Sequence, residues 1–352
     1  MKRLFITVSA LSFLMIIAAP LTSAKPPIAN GVAPRAQSDQ DKAENDAYKA
    51  WYDVQKNIPQ ALPLAKAYLE KFPNGTNAKY LKGWIVSARA SLFNDAYKQK
   101  NIDEMIKIGN EALAEDPGNL DYVYLIYSTI NQTELHAAKP NLAHADQEIE
   151  FINKAVKLIQ DGKAPSWIPK EKWDKTATLS YLYYDLGFIA DNRKDLDKGL
   201  DYYKQSYTFD PKNAYSYFAA GTIYQARYVA ALQKYQAIPD ADKNPPDATT
   251  PVKPEVKAAL DEVNKEADAV IDVWAHFLAA TATNNTFGAV RDRVQQSVEG
   301  LYKYRHDNSL DGLQKLIDAY RAGAPAGATA AQPASSTAAS ASTKPPSGAT
   351  NL

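Results

Sequence analysis

The sequence predicts an all-α protein built from antiparallel helix pairs, with a long C-terminal helix and irregular termini. Three observations carry this. Apolar residues recur at helical spacing in one stretch after another, as in Ala61, Leu62, Ala65, Tyr68, Leu69 and Phe72. Proline-bearing breaks separate the stretches, with Pro73, Pro117, Pro165 and Pro211 lying 44, 48 and 46 residues apart. Between Ser180 and Tyr224 a pattern of aromatics, glycines and a proline runs once and restarts.

The chain opens with a positively charged end, Lys2 and Arg3, an apolar run from Leu4 to Ala19, and small residues up to Ala24. That is the layout of a secretory signal, residues 1–24, cleaved after Ala24. The run is broken by Pro20 and falls short of the roughly 20 residues a membrane-spanning helix needs. The expectation is an exported protein of the periplasm or cell envelope, with the exterior as the other destination. Residues 25–41 are rich in proline and polar groups and read as a flexible leader, so the helical domain is expected over 42–322.

Helices follow in order. Ala43–Asn57 reads as the first and Pro59–Phe72 as the second, ended by Phe72-Pro73-Asn74-Gly75. Ala78–Lys98 is the third. Asn101 caps a fourth, with Glu104 as its capping-box partner, and Asp116-Pro117-Gly118-Asn119 stops it. Tyr122–Ile130 has the aromatic and β-branched content of a strand, yet it follows a helix-ending Asp-Pro where another helix belongs, and helix is expected. His144–Gln160 comes next, with Ile149, Ile152, Ala155, Val156 and Ile159 on one face.

After Tyr224 a helix runs on to about Ala237, and Pro239, Pro245, Pro246, Pro251 and Pro254 make residues 238–254 a loop. A long helix from Glu255 to about Ala282 carries Leu260, Val263, Ala267, Val270, Trp274 and Phe277 at alternating spacings of three and four. Such a seam packs either along the end of the array or against a second copy. Two final helices are expected over 286–305 and 309–321, the last capped by Asn308. Residues 323–352 are Ala, Gly, Pro, Ser and Thr with Lys344 as the only charge, a tail too polar and small to offset its ordering entropy.

Composition narrows the chemistry. The 352 residues carry 40 basic and 40 acidic side chains, and removal of Lys2 and Arg3 leaves a net charge of −2. No basic stripe of a nucleic-acid binder is evident. The absence of cysteine excludes disulfides, thiolate metal sites and cysteine nucleophiles. No serine-hydrolase, zinc-hydrolase or phosphate-loop motif occurs. His136, His144, His276 and His306 lack a partner at the spacing that puts two metal ligands on one helix face, and are expected as surface or interface histidines. Asp240, Asp242 and Asn244 open like a calcium loop, but Pro245 and Pro251 stand where that loop needs glycine and glutamate. Asn74-Gly75-Thr76 is a glycosylation sequon, relevant only in a host that uses it. No enzyme activity, cofactor or metal is expected.

Within Ser180–Tyr224, Tyr183, Leu186, Gly187, Gly199, Tyr203 and Pro211 are followed by Tyr217, Ala220, Gly221 and Tyr224. This resembles the tetratricopeptide repeat, whose signature places an aromatic, a Leu-Gly pair, a small residue, an aromatic and a proline at these spacings. Ala190 stands where the family prefers tyrosine, and Gly199 where it prefers alanine. The string NEALAEDPGN over 110–119 is similar to the closing half of a unit, and the resemblance extends across 59–165 at intervals longer than the family's period of about 34 residues.

The resemblance implies a right-handed α-solenoid and a binding scaffold. The family's groove-facing places fall here on Tyr181, Tyr184, Phe188 and Asn192, then on Tyr215, Phe218 and Gln225. Tyr184 and Phe218 stand where carboxylate-clamping members carry basic residues, so no carboxylate clamp is expected. An aromatic groove with two amides suits a protein or peptide partner, and stacking on sugar rings makes a polysaccharide or small ligand the alternative. Neither the partner's identity nor the oligomeric state is written in these residues.

Overall fold

The computed structural model describes residues 39–244, 250–283 and 285–323. The expected signal, most of the leader, Pro245 and Pro246, and the tail from residue 324 lie outside the described residues. Those that are described form thirteen α-helices and contain no strand. They divide into two compact units between Trp173 and Asp174.

The first unit holds α1 (Asp39–Val54), α2 (Ile58–Lys71), α3 (Ala78–Gln99), α4 (Ile102–Glu115), α5 (Leu120–Ile130) and α6 (Ala145–Gln160). Each helix packs on the next. Helix α1 begins at Asp39, three residues before the expected start of order. Local caps set the other starts. Asn57, Asn101 and Asn119 each accept a backbone N–H three residues on, at 3.4, 3.2 and 3.5 Å. The expected capping box at Asn101 is only half made. The Asn101 N–H is taken by the Ala96 carbonyl at 2.9 Å, so Glu104 turns instead to Lys107.

The strand-like stretch is helical because of what it packs on. Leu120, Val123, Ile126 and Ile130 are buried, and Ile126 fills the space left by Gly109 of α4. A single π-helical turn, Asn131–Leu135, continues α5. Thr129 and Thr133 return their hydroxyls to the Leu125 and Thr129 carbonyls, a competition for backbone acceptors that accompanies the widened turn. Trp51, Ala61, Ala65, Tyr68, Leu81, Trp84 and Ala88 form the core of the first three helices. Arg89 is buried between α3 and α4 and donates two bonds to Glu115, at 2.9 and 2.7 Å.

The second unit contains α7 (Lys175–Asn192), α8 (Leu196–Phe209), α9 (Ala214–Gln236), the single turn α10 (Asp240–Lys243), α11 (Pro254–Ala280), α12 (Gly288–Arg305) and α13 (Leu313–Arg321). Helix α8 packs on α7 and α9, and α11 packs on α9, α12 and α13. Asp174, Asp195 and Asn213 cap α7, α8 and α9.

Two glycines set the closest approaches. A Cβ on Gly187 would fall 2.6 Å from the Tyr203 ring, so α8 lies tight on α7. A Cβ on Gly221 would collide with the indole of Trp274 on α11. Tyr217 against His276 and Phe218 against Phe277 continue that contact in antiparallel register. Helix α11 therefore does for α9 what α8 does for α7. Helix α9 runs on to Gln236, and its packing partner α11 begins only at Pro254. The heptad seam is used here too, since Val263, Ala267, Val270, Trp274 and Phe277 are all fully buried within the unit.

Four details near the C-terminal helices differ from expectation. The 238–254 loop contains the one-turn α10, and Pro254 already belongs to α11, where a first-turn proline loses no hydrogen bond. Helix α13 starts at Leu313, not Ser309. Asn308 does not cap it: it adopts a left-handed φ of 61° and Gly312 occupies the capping place at φ 97°.

Candidate functional site

The residues expected to line a groove separate into two groups. On α7, Tyr181 is 40% exposed and points to solvent, whereas Phe188 and Asn192, seven and eleven positions on, are half-buried. The Asn192 side-chain amide donates to the Phe188 carbonyl at 2.8 Å, which holds it against the last turn. Tyr184, also half-buried, leans inward. Its ring lies 6.3 Å from Phe188, 5.7 Å from Tyr203 and 6.1 Å from Tyr215. Burial and the nearby Asp185, Tyr215 and Asp191 push the Tyr184 hydroxyl well above the ordinary phenol range. Tyr181 is raised too, by burial first and by Asp210 and Asp185. Both tyrosines remain neutral donors at any physiological pH.

The α9 group is largely occupied by the chain itself. Phe218 packs on Phe277 at 5.6 Å, Tyr215 on Phe287 at 4.9 Å, and Phe277 meets Phe287 edge-on at 5.3 Å. Gln225 is 8% exposed, an interior residue and not a groove-facing amide. Phe277 of α11 and Phe287, just before α12, cover the aromatic side chains of α9. The exposed member of the candidate surface is Tyr181, with Phe188 and Asn192 half-buried along the same stripe of α7.

The repeat-defining residues are brought together. Leu186 and Ala220 are buried. Tyr183 stacks on Phe209 at 5.4 Å and Tyr217 on Tyr207 at 4.5 Å. Gly199 approaches the Gly187 carbonyl so closely that a Cβ would lie 3.4 Å from it. Pro211 sits in the turn held by Asp210, which accepts from the Lys212 N–H at 2.9 Å. Tyr224 is half-buried beneath the Arg227 guanidinium at 5.8 Å.

Beneath the α7 stripe lies a polar knot that sequence reasoning overlooked. The Ser206 hydroxyl donates to the Ser180 carbonyl at 2.6 Å and meets the Ser216 hydroxyl at 2.6 Å. The Asn213 side-chain amide donates to the Ser180 and Ser206 hydroxyls at 2.8 and 3.2 Å. All four residues are buried. Satisfied networks of this kind fix orientation, and this one joins α7, α8 and α9. The only hint in the sequence was small polar residues at apolar-face positions.

Elsewhere, His144 bridges two carboxylates. Its Nδ1 lies 2.7 Å from Glu134 and its Nε2 3.1 Å from Asp103. His276 is an interior residue, 6% exposed, in contrast to the surface or interface place expected. Asp240 and Asp242 are paired with Lys243 at 2.9 Å and Lys253 at 2.6 Å. Among the described residues no group of three or more acidic or histidine side chains is arranged to hold a metal ion, and no helix is long and apolar enough to cross a membrane. The chain matches no protein-family model and no curated protein.

Proposed function

We propose that the protein is an exported, non-enzymatic scaffold of tetratricopeptide-like helix pairs that holds a protein or peptide partner in the cell envelope. The observation that carries this reading is the α7 stripe. Tyr181 is 40% exposed on a helix whose other side is fixed by the buried serine and asparagine knot. A rigidly mounted tyrosine loses little conformational freedom on binding and brings both an apolar face and a hydroxyl. Asn192 spends one amide N–H on the helix, and its carbonyl oxygen suits a peptide N–H. The sequence spacing around Gly187 and Tyr203 supports the family reading, and residues 1–24 support export.

The test is recovery of partners from envelope extract by the parent protein and by Tyr181→Ala and Asn192→Ala. The expected result is loss of a discrete partner by both variants while their helical content and melting are unchanged. Full recovery by both variants removes the α7 stripe as the binding surface. Retention on polysaccharide, with no protein recovered, moves the reading to a glycan binder.

A further inference from the structure

Helix α13 is the last described element, nine residues long. Leu313, Leu316, Ile317 and Tyr320 are buried in the unit's core. The link that brings it there turns through Asp307 and Asn308, at left-handed φ values of 49° and 61°.

A histidine stands at each end of this docking. His276 of α11 is sandwiched between Tyr320 of α13, 3.5 Å away at 14°, and Tyr217 of α9, 4.9 Å away at 4°. Tyr207 of α8 stacks behind Tyr217. The Nε2 atom of His276 is fully buried and has no hydrogen-bond partner. The charged group nearest this stack is Asp272 of α11, which accepts the Tyr320 hydroxyl; Asp210 bears on Tyr217 from the end of α8. His306, which opens this link, stacks on Tyr302 of α12 at 4.0 Å, and the Tyr302 hydroxyl donates to the Asp311 carbonyl at 3.1 Å. The charges around His306 are Arg305, Asp268 of α11 and Asp307.

We propose that α13 is an acid-released helix: the neutral rings of His276 and His306 hold it in place, and protonation of those rings lets it leave while the rest of the unit stays folded. A proton on Nε2 of His276 would be an N–H of a cation with neither water nor acceptor, and the attraction of two tyrosine faces is smaller than that desolvation cost. Burial holds both imidazoles below the ordinary histidine value, against the opposing pull of Asp272 at one and of Asp268 and Asp307 at the other; Arg305 adds to the lowering at His306. The sign follows. A depressed folded value means that protonation favours the undocked state as pH falls below the free-histidine range. Undocking takes Tyr320 off the His276 ring and hydrates it. The seam of α11 against α9 includes His276 on Tyr217, but Trp274 against Gly221 and Phe277 against Phe218 hold it without either imidazole.

Amide hydrogen exchange on the full chain, corrected for intrinsic rates, tests this at about pH 7.5 and about pH 5, on either side of the ordinary histidine value. The expected result is loss of protection over 313–321 at the lower pH, with α9 and α11 still protected. The double variant His276→Phe and His306→Phe keeps flat rings in both stacks and removes both protons; it is expected to hold α13 at both pH values. Equal protection of α13 in the parent at both pH values overturns the proposal, as does the same acid loss in the double variant. If the double variant does not fold, the parent's own imidazole resonances decide. Both must titrate below the free-histidine value in step with the loss of protection, and titration at or above that value overturns the proposal.

Discussion

At Gly221 a single missing methyl decides how two helices meet. Gly221→Ala would place a Cβ inside the volume of the Trp274 indole, which is fully buried and has nowhere to go. The expected cost is about 3 kcal/mol or more, at the upper end of overpacking penalties. Gly83 is the control. It lies inside α3, and a Cβ added there would meet nothing within 4 Å, so Gly83→Ala is expected to stabilise by about 0.5–1 kcal/mol. Urea unfolding of both variants checks the pair. Arg89 and Glu115 give a second asymmetry. The arginine side chain is 5% exposed and its partner 59%, and the guanidinium holds the Glu115 carboxyl below the usual range. Glu115→Ala removes both short bonds of the buried cation and leaves it Glu111 at 4.0 Å, and is expected to cost about 1–3 kcal/mol. Arg89→Met leaves a carboxylate that water can reach, and its cost is expected to be smaller. The reverse order of unfolding midpoints would contradict this account of the pair.

Among the elements, the π-helical turn and the chain up to α6 are tied by His144. Burial pulls its proton affinity down, but its hydrogen bonds to the Glu134 and Asp103 carboxylates outweigh this and raise it. A raised folded value adds stability that is complete below the unfolded histidine value of about 6.5 and is lost as pH rises through the folded value. The stability advantage of the parent over His144→Gln is therefore expected to be greatest in mild acid and to shrink toward alkaline pH, read from urea midpoints across that range. A constant difference would mean that His144 acts by packing alone.

Helix limits were legible in the sequence where caps are local. Asn101 and the Asp116–Asn119 turn act within four residues of their partners, and the predicted ends fall within a residue or two of the observed ones. Asn308 misled because a cap and a left-handed linker residue share the same amino-acid preference. The pairing of α9 with α11 was hidden for another reason. Gly221 and Trp274 meet across more than fifty positions, and no local pattern announces which glycine will receive which indole. The same pairing bears on the candidate site: Phe218 packs on Phe277 of α11 and Gln225 is buried, whereas Tyr181 on α7 remains exposed.

For the whole molecule, the described residues form two compact all-α units of successively packed helices, and the proposed scaffold role rests on the second. Its α7 stripe is mounted on a satisfied polar knot, and its last helix is held by two neutral histidines. The central claim is that Tyr181 touches a partner, and photocrosslinking in the native envelope tests it most directly. A photoreactive aromatic at Tyr181 is compared with the same group at Val86, a more accessible apolar position on α3, 56% exposed. The account predicts a discrete protein adduct from position 181 that position 86 does not give; no adduct from 181, or the same adducts from both, would contradict it.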